Sequence, residues 1–374
     1  VAESSGRPVQ VGVFLTHQQP ADRDPLVALD EQLRLVRAAR DGGLDSVFAG
    51  QHHLPESFSH IQPLPWLARL AADADGMRIG TGIHLLALHN PVDTAESYAG
   101  LDVVAGGRSV FGVGLGYRET EYAAFGIPPG DKVRRFTENL RIVRELWSGE
   151  PVHADLEWCR LDGVRATTRP ASVPPVWMAA NSDGAVRRAA RLGDTWMINP
   201  HATAGTVRRQ LELFHTERAA AGRGPLGELP LMREVYCAPT RERALELARP
   251  HLASKYAVYA DWGQDRVLPG KDSFRAGYDD LARDRFVVGS PEDCLAALLP
   301  WRDELGVDHF VLRTDWAGMP VDDALASLDL LAREVAPVLR SRPAVRPDAA
   351  VHSSDRKDSP WTSASSSPSA TTAG

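Results

Sequence analysis

Three short runs in this chain combine residue types that could do chemistry. Gln51-His52-His53 follows the apolar run at 46–49, so it stands at the carboxyl end of a strand. Histidine titrates near neutrality and can give or take one proton. Neighbouring residues on a strand face opposite sides, so one of the two can face a ligand while the other packs. They are poorly placed to share a metal, and the paired HxH of a barrel metallohydrolase is missing from the chain. Ala180-Asn181-Ser182-Asp183-Gly184 joins a second strand end to a helix start. Free amides and the helix dipole favour an anion there, although a simple helix cap is the commoner role for such residues. Gly112, Gly114 and Gly116 form GxGxG at a third strand end. A dinucleotide fingerprint needs GxGxxG running into a helix, whereas Tyr117-Arg118-Glu119-Thr120 follow here with no apolar helical stripe. The glycines therefore admit a closely approaching ligand or form a tight barrel corner. His84, His89 and Asn90 gather near Gly82-Ile83 and are expected to look onto the same mouth. Of the tryptophans, Trp196 at a strand end and Trp262 in a long irregular segment stand nearest to such a site.

The elements that must position these runs alternate regularly. Apolar, β-branched segments at 9–15, 46–49, 78–86, 109–113, 176–180, 195–198, 231–238 and 309–313 read as strands buried on both faces. Between them lie helical stripes such as Leu26, Leu29, Leu33 and Val36, or Val133, Phe136, Leu140, Val143 and Leu146. Gly106-Gly107 and Gly149 stand where left-handed helix ends are needed. Gly289-Ser290-Pro291-Glu292-Asp293 has the cap, the proline and the acids of a helix start. Eight strands alternating with helices predict an α/β protein, a (β/α)8 TIM barrel with insertions over residues 1–340, its chemistry at the carboxyl ends of the strands. The insertions are expected near 151–173, as a hairpin around Asp162-Gly163, and at 260–285, as a loop long enough to be a lid. Residues 341–374 are Ser, Thr, Ala and Pro-rich and predict a disordered tail.

Composition excludes several function classes. The chain has 374 residues with 42 basic and 49 acidic side chains, a net charge of −7, and the signs are interspersed. A nucleic-acid partner is therefore not expected. No stretch approaches the ~18 apolar residues of a membrane span, and the first residues lack a signal-peptide pattern. Cys159, Cys237 and Cys294 are far apart and odd in number, which argues against a disulfide framework. A soluble, cytoplasmic protein is the expectation.

In combination, these runs resemble the bacterial luciferase-like flavin-dependent monooxygenase family. The matching pieces are the IGTG strand, HNP, LD-x(3)-GGR, GVGxGY with EYxAFGI, ExLxIVRxLWxG, QHH, NSDGAVRRAARLGDTW and GSPED, spanning about 9–339. The resemblance implies a (β/α)8 barrel. It further implies an enzyme that takes FMN as FMNH2 from a separate flavin reductase, reacts it with O2 to a C4a-peroxyflavin and oxygenates a small organic substrate. Members are commonly dimers, so a homodimer is expected. Carried over by position, His52 and His53 match the catalytic histidine pair. Thr81, Gly82, Ile83, Gly114, Leu115, Gly116, Tyr117, Arg118, Asn181, Ser182, Gly184 and Trp196 fall on the flavin site. Gly82-Ile83 falls on a non-prolyl cis peptide, and Asn181-Ser182 on the phosphate-contacting turn. Two departures stand out. Gln51 replaces a usual Glu, and Leu115 replaces an Arg, for which Arg118 is the expected substitute. A sister branch using a deazaflavin coenzyme, and a non-catalytic flavin-binding partner subunit, are the alternatives the resemblance leaves open.

Overall fold

A computed structural model describes residues 7–269 and 273–344. Eight strands form the frame: β1 (Gln10–Phe14), β2 (Ser46–Ala49), β3 (Arg78–Thr81), β4 (Ser109–Gly114), β5 (Val176–Ala179), β6 (Thr195–Met197), β7 (Pro230–Cys237) and β8 (His309–Arg313). They pair in parallel in the order β6-β5-β4-β3-β2-β1-β8-β7. An Ile198–Leu231 bridge joins the ends of that row and closes the barrel. Side-chain alternation divides each strand. Phe14, Phe48, Val110, Trp177, Met197, Met232 and Val311 fill the interior, while Val11, Val13, Val47, Phe111 and Trp196 belong to the larger core under the helices. The amino end of the barrel is plugged: Phe48 stacks on Trp177 with ring centroids 5.0 Å apart, and the Trp177 indole donates to Glu228 at 2.8 Å. Glu228 in turn pairs with Arg78 at 2.7 Å. Gly12 is required beside this plug, because a Cβ there would lie 1.9 Å from Ser46 Oγ. Only the carboxyl ends are left to hold a ligand.

The structure corrects the sequence expectations in several places. The strand expected over 78–86 stops at Thr81, where the Gly82–Ile83 peptide is cis. His84–Leu85 then resumes pairing with β4. Glu119–Ala124, which carries no apolar stripe at its start, is nevertheless a short helix with Glu119 and Glu121 in its first turn. The insertion hairpin pairs Val152–Leu156 with Cys159–Val164, so it turns at 157–158. Asp162-Gly163 marks an irregularity in its register instead, with Gly163 at φ 65°. The 260–285 segment is largely built. It contains the end of helix Arg241–Asp261, a turn of 3-10 helix at Gln264–Val267 and a helix at Tyr278–Ala282. A further strand, Phe286–Gly289, escaped the sequence reading because four residues are too few to show a period. It pairs with the carboxyl half of β7. The expected cap at Ser290 is a full capping box with Asp293. Of the expected tail, Ser341 to Ala344 are described and Ala344 bridges to Arg7; the rest lies outside the described residues. Among the described residues no helix is long and apolar enough to cross a membrane.

Candidate active site and family

A cavity of about 280 Å3 opens at the carboxyl ends of the strands. His52, Gly82, Ile83, Gly114, Leu115, Gly116, Tyr117, Asn181 and Ser182 all line it, so the structure brings most of the expected site together. The wall from β3 and β4 is tight. A Cβ on Gly114 would sit 2.1 Å from Ile83 Cδ1, and Gly116 holds φ +78° with Leu85 against it. Phe14, Ile83, Met197 and Met232 supply an apolar floor.

Across the mouth, β5 runs into helix Asp183–Leu192. Ser182 is its N-cap, accepting from the Ala185 amide at 3.4 Å. Asn181, Ser182, Ala185 and Arg188 from this corner face the cavity. A ten-residue helix N-terminus with a serine hydroxyl and an arginine further along the same helix favours a phosphate.

His52 owes its place to strand alternation and to one carboxylate. Glu121, only 1% exposed, accepts on Oε1 from His52 Nδ1 at 3.1 Å and from the His53 amide at 2.9 Å. Arg118 reaches the same oxygen at 3.3 Å. Burial pushes the Glu121 carboxyl up, but the His52 ring, the His53 amide and Arg118 together hold it below its ordinary value. With Nδ1 committed, Nε2 is the His52 nitrogen left for the cavity. Trp262 lies over the ring at 5.0 Å between centroids. It stacks on Tyr259 at 5.3 Å and is covered by the Arg118 guanidinium at 4.4 Å. These rings roof the site.

Five expected site residues are placed elsewhere. His53 turns away from the cavity, and its ring packs on Phe125 at 4.7 Å and faces His89 at 5.6 Å. Thr81 points outward, its hydroxyl bonded to Tyr98 and to Gly112 O, both at 2.7 Å. Trp196 alternates with the cavity-lining Met197, donates to Ala180 O at 3.2 Å and packs toward Phe214. Gly184 lies in the first helical turn but outside the lining. Arg118 is spent on the His53 and Leu54 carbonyls at 2.7 and 3.1 Å, so it cannot replace the cation missing at Leu115. Arg188 is the cation that reaches the phosphate corner. His84 and His89, expected at the mouth, instead stack on each other at 4.3 Å behind the cavity wall. Asn90 caps the helix Pro91–Val104.

The sequence reading also missed residues. His17 and His60 line the cavity with their rings 4.2 Å apart, and burial takes His17 down to about 4. Lys255, Tyr259 and Arg313 line the side nearest β7 and β8. Arg313 ends a barrel strand, which is a usable signal. Glu121, Arg188 and Lys255 sit on helices, where nothing in the spacing marks them.

Comparison with known proteins fits this geometry. The luciferase-like monooxygenase family profile matches residues 9–309. A 4-hydroxyprotoasukamycin monooxygenase of Streptomyces nodosus is 27% identical over 342 residues, covering 88% of this chain and 92% of the relative. An F420-dependent glucose-6-phosphate dehydrogenase of Beutenbergia cavernae is 29% identical over 313 residues, covering 81% and 91%. The oxygenating constituent of 3,6-diketocamphane monooxygenase from Pseudomonas putida, solved in complex with FMN, superposes with a TM-score of 0.72 at 19% identity, over 88% of this chain and 98% of that one. The chain is a luciferase-like (β/α)8 barrel and belongs to the luciferase-like monooxygenase family.

Proposed function

We propose that this protein is the oxygenase of a two-component system, using reduced FMN from a separate reductase to insert one oxygen of O2 into a small organic substrate. The observation that carries the reading is His52, held at Nδ1 by buried Glu121 on a cavity with an apolar floor and a phosphate-binding corner. The residues fit a flavin on independent grounds. Tyr117 lines the cavity and its hydroxyl is buried without a partner, an orphan that a bound ring's polar edge would satisfy. Ser182, Asn181 and Arg188 suit the phosphate, and the Gly114–Gly116 wall lets a flat ring approach the backbone. Bound reduced FMN supplies the two electrons that leave one oxygen atom on the substrate and the other in water.

The protein's own work is to control water and one proton. Trp262 and Tyr259 lie over or beside His52, with Phe58 edge-on to Trp262, and limit solvent entry. His52, fixed by Glu121, manages the proton at Nε2. The test is oxygen uptake with FMNH2 over a panel of substrates, scored as product formed per O2 consumed. Coupled turnover is expected. Peroxide as the sole product with every substrate, or no uptake, would overturn the reading.

A second reading is a deazaflavin-dependent oxidoreductase, favoured by the 29% identity to the F420-dependent dehydrogenase. Binding titrations with FMN and F420 separate the two, and preference for F420 would carry the second.

A further inference from the structure

The cavity has a second charged end besides the Ser182–Arg188 corner. Its lining includes Arg188, Lys255 and Arg313 and, among the described residues, no aspartate or glutamate. Arg188 stands with Ser182 on the β5 side. Arg313 ends β8, and β8 lies on the other side of the ring from β5. Lys255 comes from helix Arg241–Asp261 and meets the same wall. Lys255 and Arg313 are 4% and 5% exposed.

Two buried cations need compensation, and a hydrogen-bonded carboxylate reaches only one of them. Glu234, wholly buried behind the wall, pairs with Lys255 through Oε1 and accepts from the Trp316 indole at 2.6 Å through Oε2. Arg313 Nε stands 3.9 Å from that second oxygen, too far for a hydrogen bond, and is buried with no partner. Arg313 Nη2 is held by Thr16 Oγ1 at 2.7 Å and Gln18 Oε1 at 3.2 Å, both neutral. Asp315 is turned away, accepting from the Thr16 amide at 3.0 Å and from Gln32 at 2.9 Å. Its carboxyl is pushed up to about 6 by burial. Burial, then Arg313, pull Lys255 down to about 7, although Glu234 opposes them. The histidines nearby, His17 and His201, are held neutral by burial. Lys255 therefore has a hydrogen-bonded carboxylate of its own, whereas the Arg313 guanidinium has none, on a surface that faces the cavity.

We infer that the Lys255–Arg313 wall receives a carboxylate of the substrate, so that the molecule oxygenated is a small organic acid. The inference rests on the flavin reading only for where the rest of the substrate lies. One guanidinium without a hydrogen-bonded carboxylate matches a monoanion better than a phosphate dianion. Tyr259 and Gln18, whose side chains lie 3.4 Å apart beside the guanidinium, are placed to share the second oxygen. The apolar Phe14 and Met232 on the neighbouring floor would carry the hydrocarbon part.

Calorimetric titration of the full chain, with and without saturating FMN, tests this with benzoate against benzamide, octanoate against octanamide, and phenyl phosphate. At least one acid is expected to bind about tenfold or more tightly than its amide, the scale of one charge-assisted contact. Arg313→Met should abolish that preference while FMN affinity stays unchanged. Lys255→Met combined with Glu234→Gln removes that ion pair as a unit and leaves the Arg313 guanidinium, so it should weaken the preference without abolishing it. Arg313→Lys keeps the charge and should keep a weakened preference, which guards against misfolding of the methionine variant. Acids and amides binding alike, or neither binding, overturns the proposal, as does an acid preference surviving in Arg313→Met. Phenyl phosphate binding more tightly than benzoate with FMN saturating, so that the Ser182–Arg188 corner is filled, overturns the monoanion assignment. Failure of FMN to bind the wild type defeats the flavin reading alone, because the acid–amide comparison is also made without it.

Discussion

His52 and His53 are neighbours in the chain and converge on one oxygen of Glu121, the first through its ring and the second through its backbone amide. Their surroundings differ completely. The His52 ring lines the cavity among Tyr117, Tyr259 and Trp262. The His53 ring lies among Phe125 and His89, its Nε2 buried without a partner and its pKa lowered by that burial. Limited exposure does not separate them; the position of the free nitrogen does. Only a nitrogen that looks into the cavity can exchange a proton with a bound molecule, so the pair divides into a chemical residue and a packing residue.

The sharpest way to break this comparison is His52→Ala. Product per O2 should fall by ~100-fold with peroxide appearing in its place, the scale of a lost general acid–base group. FMN affinity should hold, and His53→Ala should leave coupling near wild type. Equal losses in the two variants would erase the distinction. Next is the shared carboxylate. Glu121→Ala leaves Arg118 buried without its anion and should cost ~3 kcal/mol in urea unfolding, along with coupling. Glu121→Gln retains an acceptor, and recovery of coupling with it would identify the carboxylate as a positioning residue. Acid should then unfold the protein through the ring clusters on both sides. His17 sits near 4 when folded and near 6.5 when unfolded, so its contribution is full above pH 6.5 and is lost as pH falls through 4. The limiting loss is ~3 kcal/mol, read by denaturant melts at pH 7.5 and 4.5, and His17→Asn should flatten that dependence. The smallest effect is His53→Phe. It removes an unsatisfied nitrogen and should change stability by no more than about 1 kcal/mol.

Much of the frame was legible because it is periodic. All eight barrel strands lie where apolar runs stand between helical stripes, and Gly106, Gly107 and Gly149 have the positive φ their positions called for. Four-residue Phe286–Gly289 was too short to register, and the Asp162-Gly163 pair signals a reversal equally well in a turn or a bulge. At the site, strand ends were readable and helix faces were not. Gly82, Ile83 and Gly114 follow from their strands, whereas Arg118 and Arg188 cannot be ranked from sequence. Which arginine reaches the cavity depends on how the chain turns after Gly116 and on where helix Asp183–Leu192 docks. The paired histidines show the same limit in miniature, since alternation says that one faces inward but not which.

The roof has a practical consequence. Trp262 lies within 5.0 Å of His52 and is clasped by Arg118 and Tyr259, so it is an optical reporter built over the cavity mouth. Its emission can be isolated from that of the other eight tryptophans by subtracting the spectrum of Trp262→Phe. Quenching of that difference signal would time the arrival of a flavin on the millisecond scale, before any turnover occurs.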